Sequence, residues 1–313
     1  MMKTIAEVIS KSKSAAIFPH ENADGDCLGS AFALKLILEQ AGKNACVILE
    51  EPHPRTLGIL YGAEESPPFP PDIAIAVDCG DLERLGSRAA RFTAYAETVN
   101  IDHHPTNSNF ARYNYVDPTA AATGELIYAL AGYAGVPLTR EIAHNLYAAL
   151  SSDTGGFKYS NTTAKTHRLA AELIDYGIAH DKINEFLFDK NPFSKIQLMR
   201  DALNSFETYA DGKLAVVSIT AAQTLAAGAS EEDAGGLIVL PRSLETAVAS
   251  LCFRESSAFG AIRVSMRSNV IDVSEIARKF GGGGHVRASG CLLRMDLQSA
   301  KDAVVREVCR VLP

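Results

Sequence analysis

The segment at residues 20–30, HENADGDCLGS, constrains this chain more than any other feature of its sequence. It places His20, Asp24 and Asp26 within seven residues, between an apolar run and a long apolar segment that begins at Leu28. A polar loop in this position is costly to build for packing alone, because carboxylates lose hydration when they are buried. Imidazole nitrogen and carboxylate oxygen together suit a hard divalent cation, so the sequence predicts a metal-binding loop here.

Strand and helix patterns alternate through the first half of the chain. Strands are predicted at 15–18, 45–49, 73–77 and 98–101. Helices are predicted at 28–40, 121–132, 139–152 and 163–176. This alternation predicts an α/β fold with a parallel sheet and crossover helices. Because ligands bind at the carboxyl ends of parallel strands, the polar residues that follow three of these strands are expected to meet.

The pattern changes after residue 192. A helical segment at 193–206 comes first, followed by predicted strands at 214–219, 246–253, 259–266 and 289–293 and helices at 273–280 and 299–311. We therefore predict a catalytic domain at 1–192, a helical linker at 193–212 and a smaller α+β domain at 213–313.

Composition narrows the class of protein. A net charge of −7 argues against a general nucleic-acid coat. The six cysteines form no Cys-x-x-Cys pair, which favours buried thiols in a reducing compartment. Cys27 and Cys79 lie beside acidic residues and could be soft metal ligands. Because hard carboxylates predominate around them, a packing role is favoured for both. Charges interrupt any signal-peptide core, and no apolar run is long enough to cross a bilayer, so a cytoplasmic protein is expected.

The polar residues at predicted strand and helix ends are rich in carboxylates. They are His20, Asp24, Asp26, Asp78, Asp102, His103, His104 and Asp153. Five carboxylates packed together would raise one another's pKa unless cations neutralised them. Two divalent ions that share a carboxylate meet this need, and such pairs are a common device for hydrolysing phosphate esters. Oxygen ligands with a minority of imidazole favour manganese or magnesium over zinc.

Each motif has a simpler interpretation when it is taken alone. The segments 24–26 and 78–81 are also typical of surface turns, and His103 and His104 of surface histidines. An EF-hand loop is excluded, because Cys27 replaces its turn glycine. The joint occurrence at strand ends favours the metal site. The segment 155–163 has two equally supported interpretations. It is either a loop that ends in a threonine helix cap or a loop that contacts a nucleotide.

A second polar concentration, GGGGHVRASG at 281–290, follows the predicted helix 273–280. Glycine lets backbone N–H groups approach an anion closely, so the run predicts a nest for phosphate or carboxylate built on Gly282, Gly283 and Gly284. The side chains that could surround this nest are His285, Arg263, Arg267 and Arg287. A flexible turn is the alternative, while a Walker loop is excluded because no Lys-Ser/Thr pair follows.

At these residues the sequence resembles the DHH phosphoesterase superfamily, and the resemblance spans nearly the whole chain. The matching motifs are HxNADGDxxGS at 20–30, Asp78 at a strand end, DHHP at 102–105, DTGGF at 153–157, and GGGGH followed by ASG at 281–290. The glycine motif is similar to the DHH-associated domain of nanoRNases and 3′-phosphoadenosine 5′-phosphate (pAp) phosphatases rather than to that of family II pyrophosphatases.

The resemblance implies two metal sites that share Asp78. The residues implied for the first ion are His20, Asp24 and Asp78. The residues implied for the second ion are Asp26, Asp78, His103 and Asp153.

The resemblance also implies roles for residues beside the ions. Asp102 would orient the histidine pair, and His104 would face the scissile phosphate as a hydrogen-bond donor or general acid. The glycine nest, with His285, Arg267 and Arg287, would hold the substrate's remaining phosphate or its terminal nucleotide. Arg287 stands at a position that varies among such proteins.

The implied activity is that of a phosphoesterase that uses two divalent ions to activate water. Manganese is the expected metal, and magnesium is the alternative. It would release mononucleotides from short oligonucleotides and dephosphorylate pAp. The expected partners are short single-stranded RNA or DNA and small nucleotides. No association with a membrane is expected, and the chain is compatible with a homodimer. One alternative is hydrolysis of linear or cyclic dinucleotides such as pApA or c-di-AMP. Another is a non-catalytic nucleotide-binding protein. This alternative is disfavoured, because such a protein would be expected to lack at least one of the metal-ligand residues, and all of them are present.

Overall fold

The structure, a computed structural model, describes residues 2–50, 57–62, 70–230, 233–256 and 260–313. The chain divides into two compact units, Met1–Lys190 and Asn191–Pro313. Each unit has its own sheet and its own apolar core. No helix within the described ranges combines the length and the apolar character needed to cross a bilayer.

The first unit contains a parallel sheet of five strands in the order β2-β1-β3-β4-β5. The strands are β1 Ser14–Pro19, β2 Asn44–Val47, β3 Ile73–Val77, β4 Thr98–Asp102 and β5 Tyr113–Val116. Every residue of β1 and β3 is buried, as expected for parallel strands that are covered on both faces. The predicted parallel α/β fold is therefore confirmed. The edge strand β5 was missed, because its four residues are only half-buried and carry no continuous apolar run.

Helices surround this sheet. They are α1 Met2–Lys11, α2 Gly25–Gln40, α3 Ala89–Thr93, α4 Thr123–Ala134, α5 Arg140–Asp153, α6 Ala164–Asp175 and α7 His180–Asn184. A 3₁₀ segment at Glu83–Arg88 precedes α3, and a π-helical turn at Glu185–Asp189 follows α7. Helix α2 is buried around most of its circumference, which explains why its sequence is apolar at almost every position.

Two glycines let α2, α4 and α5 approach one another closely. A Cβ at Gly25 would lie 2.4 Å from Ser152 Oγ, and a Cβ at Gly124 would lie 2.8 Å from Ala149 Cβ. Any larger residue would therefore push the helices apart. This close packing brings together the first turns of α2 and α4 and the last turn of α5.

The second unit contains a six-stranded sheet in the order β10-β11-β9-β8-β7-β6, in which only β7 and β8 pair in parallel. Its strands are β6 Glu207–Tyr209, β7 Leu214–Ile219, β8 Ala249–Ser256, β9 Ala261–Ser268, β10 Gly283–His285 and β11 Ala288–Leu293. Residue 259, the predicted start of one strand, lies outside the described residues.

Helices pack on both faces of this second sheet. They are α8 Phe193–Asn204, α9 Ala221–Ala226, α10 Val239–Arg242, α11 Val273–Lys279 and α12 Leu297–Cys309. Leu198 and Ala202 bury the inner side of α8 in an apolar cluster with Val217 and Cys252 of the sheet. The segment predicted as a linker therefore contributes a helix to the core of the second unit.

Candidate metal centre

Three neighbouring strands end at residues that were expected to belong to the metal centre. His20 follows β1, Asp78 follows β3, and Asp102 is the last residue of β4. Because β3 lies between β1 and β4 and all three are parallel, these residues meet at one edge of the sheet. Asp78 has a φ of 56°, a left-handed conformation that is rare outside glycine and that is typical of functional sites.

The two carboxylate oxygens of Asp78 face different histidines. Its Oδ2 lies 3.7 Å from His20 Nε2, whereas its Oδ1 lies 3.7 Å from both His103 Nε2 and His104 Nδ1. With a histidine on each side, Asp78 can supply one oxygen to each of two ions.

His103 is the centre of a second set of ligand atoms. Its Nε2 lies 3.8 Å from Asp26 Oδ2 and 3.7 Å from Asp153 Oδ2, in addition to its approach to Asp78. These separations exceed the range of about 2.7–3.2 Å for hydrogen bonds. They are close to the spacing of about 3.0–3.5 Å between ligands held about 2.1 Å from one ion. The donor set therefore fits a divalent cation.

Potential ligand atoms form three groups in which all atoms lie within 4.8 Å of one another. The groups are His20 with Cys27 and Asp78, Asp78 with His103 and His104, and Asp26 with His103 and Asp153. The groups share Asp78 and His103, so they form one continuous centre.

The segment 20–30 is not the loop that was expected. Helix α2 begins at Gly25, so Asp26 and Cys27 lie in its first turn. Asp24 is the N-cap, and its Oδ1 accepts hydrogen bonds from the backbone N–H groups of Asp26 and Cys27 at 3.1 and 3.0 Å. A helix satisfies the backbone here better than a loop would, because Asp24 occupies the preferred capping position.

The family models match the two halves of this architecture. The model "DHH family, N-terminal domain" matches residues 14–150, and the model "DHHA1 domain" matches residues 211–312. A protein of Thermus thermophilus named "Bifunctional oligoribonuclease and PAP phosphatase NrnA" is 34% identical over 315 residues, covering 98% of this chain and 93% of that protein. The chain belongs to the DHH family. The resemblance based on its motifs is thereby confirmed.

Other comparisons agree with this membership. A protein of the same name from Bacillus subtilis is 28% identical, and the match covers 92% of each chain. The solved structure of an exopolyphosphatase-related protein from Bacteroides fragilis matches with a TM-score of 0.91 at 24% identity, covering 98% of this chain and 94% of that one. The structural likeness supports the fold. DHH phosphoesterases are metal-dependent, and the acidic and histidine groups of this chain can hold metal.

The carboxylates of this DHH centre have perturbed pKa values. Burial is the main cause for Asp26, Asp78 and Asp153, and repulsion from neighbouring carboxylates, Asp24 among them, adds to it. The pKa of Asp26 is raised well above its usual range, that of Asp78 is raised, and that of Asp153 is raised to about 6. In the absence of cations these carboxyl groups bind protons more tightly than ordinary carboxyl groups do. A cation would therefore compete with protons for the same oxygens.

His104 has a different electrostatic environment. Its Nδ1 donates to Asp102 Oδ1 at 2.7 Å, and Asn107 Nδ2 donates to Asp102 Oδ2 at 2.6 Å. Burial opposes the charged imidazole, but this hydrogen bond and the charges of Asp78, Asp102 and Asp153 outweigh it and raise the pKa of His104 to about 9. Burial likewise opposes the charged Asp102, but its hydrogen bonds and the His104 charge hold its pKa below the usual range. In the metal-free protein at neutral pH, the His104 imidazole is therefore protonated and can donate a proton.

Replacing Asp102 with asparagine is expected to lower the pKa of His104 by about one unit or more, because the replacement removes the nearest negative charge. The measurement is a pH titration of the histidine ring nitrogens by NMR in the metal-free protein, with the His104 resonance assigned from His104→Gln. Asp175→Asn, an exposed substitution at the end of α6, is the control. An unchanged His104 titration in Asp102→Asn would contradict this account.

Four residues in contact with the centre had no individual role in the sequence-based prediction. They are Ser30, Asn107, Thr123 and Asn161. Each has an ordinary local interpretation as a helix or loop residue. Asn161 lies in the ambiguous segment 155–163, where the helix-cap interpretation is confirmed, since Thr163 caps α6 through the backbone N–H of Thr166.

In the DHHA1 domain, three arginines point to one face of the sheet. Arg263 and Arg267 are four residues apart on β9, so they share a face at a separation of about 13 Å. Arg254 on β8 pairs directly with Arg263. This face of the sheet therefore carries three guanidinium groups, the side chain that suits bidentate binding of phosphate. Arg287 is exposed in the turn between β10 and β11.

The glycine run is partly a strand rather than a nest in a loop. Gly283–His285 forms the edge strand β10, paired with β11. A Cβ at Gly282 would lie 2.2 Å from Gly290 O, and one at Gly284 would lie 2.7 Å from Ala288 O. Close backbone packing therefore explains two of the glycines without a ligand. The side chain of His285 lies outside the described part of the chain.

Proposed function

We propose that this protein hydrolyses short oligonucleotides to mononucleotides and dephosphorylates pAp, using two divalent ions. The observation that carries the proposal is the position of the Asp78 carboxylate between His20 Nε2 and His103 Nε2, at 3.7 Å from each. A carboxylate with a histidine on each side can share its two oxygens between two ions, and ion pairs of this kind serve in hydrolytic sites. The names of the Thermus and Bacillus relatives support the same activities.

The proposed ligands divide between the two ions. His20, Asp24 and Asp78 hold the first ion, and the ligands of the second are Asp26, Asp78, His103 and Asp153. When bound, the ions activate water and offset the negative charge that develops on the phosphate. Carboxylate oxygens outnumber imidazole nitrogens, which favours manganese or magnesium over zinc. Manganese is the first choice, because magnesium is usually held by only one or two carboxylates and keeps several waters.

Two further residues act on the substrate side of the centre. His104 donates a hydrogen bond or a proton to the phosphate oxygens or to the leaving group. Asp102 accepts the His104 Nδ1 proton at 2.7 Å, so it fixes the ring orientation and keeps the imidazole protonated. Neither role requires His104 or Asp102 to bind an ion.

The DHHA1 domain carries groups that suit binding of a substrate phosphate. Those groups are Arg263, Arg267, Arg287, the backbone of Gly282, Gly283 and Gly284, and His285. Arginine suits this role, because its planar guanidinium group can bind phosphate through two hydrogen bonds. Recognition of a terminal phosphate favours short substrates over long polymers, which would require a broad basic surface.

Arg267→Ala is expected to raise KM for pAp by about 10–100-fold, because a charged hydrogen bond to phosphate is lost, while kcat changes little. Steady-state kinetics of phosphate release with manganese measure the effect. Arg278→Ala, on an exposed position of α11, is the matched control and should behave like the wild type. An unchanged KM in Arg267→Ala would remove this residue from the binding site.

The function itself is tested with the purified full chain, manganese and a panel of substrates. The panel contains labelled di- to pentanucleotides, pAp, pyrophosphate, pApA and c-di-AMP. We expect mononucleotide release from the oligonucleotides and phosphate release from pAp. Turnover of c-di-AMP alone would favour the cyclic-dinucleotide alternative, and binding without turnover of any substrate would favour a non-catalytic protein. Absence of product from both the oligonucleotides and pAp contradicts the proposal.

A further inference from the structure

We propose that residues 120–124, the turn that leads into α4, form a positioning segment for the second metal site, with Thr123 as its central residue. This inference rests on the ligands assigned under the proposed function. The segment supplies no ligand of its own in that assignment. Instead, it touches the second ion's ligands through a set of hydrogen bonds, directly or through one intermediate side chain.

The first contact is with Asp26, whose carboxylate lies against the N-terminus of α4. The backbone N–H of Thr123 donates to Asp26 Oδ2 at 2.7 Å, and that of Gly124 donates to Oδ1 at 3.0 Å. Ser30 Oγ also donates to Oδ1, at 3.0 Å. Three donors on a carboxylate that is 1% exposed leave it little freedom to rotate. The Oδ2 atom that faces His103 is thus held in place.

The second contact is with Asp78, and it comes from the same residue. Thr123 Oγ1 donates to Asp78 Oδ1 at 2.8 Å, and Thr123 is completely buried. Oδ1 is the oxygen of Asp78 that faces His103, whereas Oδ2 faces His20. Thr123 therefore links two carboxylates that arrive from α2 and from the end of β3. It acts on the side of Asp78 that belongs to the second ion.

The third contact orients His103. Its Nδ1 donates to the backbone carbonyl of Ala120 at 3.2 Å. With the Nδ1 proton used in this way, Nε2 carries the lone pair and is directed towards the carboxylates. A backbone acceptor therefore sets both the tautomer and the ring orientation that a metal ligand needs.

The fourth contact reaches Asp153 through Asn161. Asn161 Nδ2 donates to the carbonyl of Ala121 at 2.9 Å and to Asp153 Oδ2 at 3.2 Å. Asp153 Oδ2 is the oxygen that faces His103. One amide thus ties the last residue of α5 to the positioning segment. Asn161 is a positioning residue of the same kind as Thr123.

The first ion's ligands rely on other groups. His20 Nδ1 donates to the carbonyl of Glu21 at 2.6 Å, and Asp24 Oδ1 caps α2. Apart from the shared Asp78, their hydrogen bonds do not involve the positioning segment. Loss of the Thr123 hydroxyl should therefore weaken one site of the two. Removing such an outer hydrogen bond typically costs 10–100-fold in metal affinity, so an effect of about that size is expected.

Thr123→Val tests the inference, because valine keeps the shape and the backbone N–H but removes the hydroxyl donor. Isothermal titration of the metal-free full chain with manganese should give two ions for the wild type. In Thr123→Val, the site formed by Asp26, Asp78, His103 and Asp153 should bind manganese about 10–100-fold more weakly. The affinity of the other site should not change. Thr123→Ser restores the donor and should restore the second site.

Two additional variants make the outcome decisive. Thr119→Val removes an exposed hydroxyl that donates to Asp117 Oδ1, and should leave both affinities unchanged. Asn161→Ala should weaken the second site alone, so it replaces Thr123→Val if that variant does not fold. A wild type that binds fewer than two ions contradicts the proposed function itself. A wild type with two ions, together with variants that bind both ions normally or lose both equally, overturns only the positioning role.

Discussion

Asp78→Asn is expected to lower kcat with manganese by at least about a thousandfold, equivalent to ~4 kcal/mol of transition-state stabilisation. The change removes the charge that both ions would share, whereas the other ligands each serve one ion. The backbone should tolerate it, because asparagine adopts the left-handed conformation that Asp78 has. Its side-chain oxygen can still accept the Thr123 hydroxyl. Steady-state kinetics on pAp and a dinucleotide provide the measurement.

Stability separates a catalytic loss from a folding defect in this variant. Burial raises the pKa of Asp78, so the ionised carboxylate disfavours the folded state when no cation is bound. Metal-free Asp78→Asn should therefore melt at or above the temperature of the metal-free wild type. Asp175→Asn serves as the control for an Asp-to-Asn change on the surface. Activity above about a tenth of the wild-type value would refute the shared role of Asp78.

Removal of both metal ions is expected to lower the melting temperature of the first unit by roughly 10–20 °C at neutral pH. An ion present at 100 times its Kd stabilises the folded state by about 2.7 kcal/mol. Each kcal/mol shifts the melting temperature of a domain of this size by about 2–4 °C. The comparison is a thermal scan in excess manganese against one in excess chelator.

This stabilisation should depend on pH in a defined direction. The pKa of Asp153 is raised from 3.8 to about 6 by burial first and then by nearby charges, so the folded state binds this proton more tightly than the unfolded state does. In the metal-free protein, the contribution of Asp153 therefore becomes less favourable as pH rises from about 4 through 6. Asp26 and Asp78 contribute in the same direction. Manganese should then stabilise more at about pH 7.5 than at about pH 5.

Asp153→Asn provides the control for that pH dependence. The variant lacks one raised carboxyl group, so its metal-free stability should fall less between about pH 5 and pH 7.5 than that of the wild type. Carboxylates with lowered pKa values elsewhere, such as Asp102, act in the opposite sense but are common to both proteins. An equal pH dependence in the two metal-free proteins would show that Asp153 does not contribute to it.

The candidate metal ligands could be predicted from the sequence, because the evidence for them is local. His20, Asp78 and His103 each follow a short apolar strand, and parallel strands place such residues at one edge. Residue type then restricts the chemistry to hard cations. Local evidence was weaker where the backbone had two options. The first turn of α2 was expected as a loop, because acidic residues and glycine are typical of both loops and helix starts.

The sequence by itself determined the DHH fold class, the parallel sheet and the identity of the groups at the centre, because each depends on short-range patterns of apolar and polar residues. Only the tertiary structure showed which groups hold those ligands in place. Thr123 reaches Asp78 across 45 positions of the chain, and Asp26 across 97. A threonine at the start of a helix is common, so neither its residue type nor its position in the sequence indicates this role. Its role arises from the close packing of α2, α4 and α5, which depends on the combined shape of many side chains.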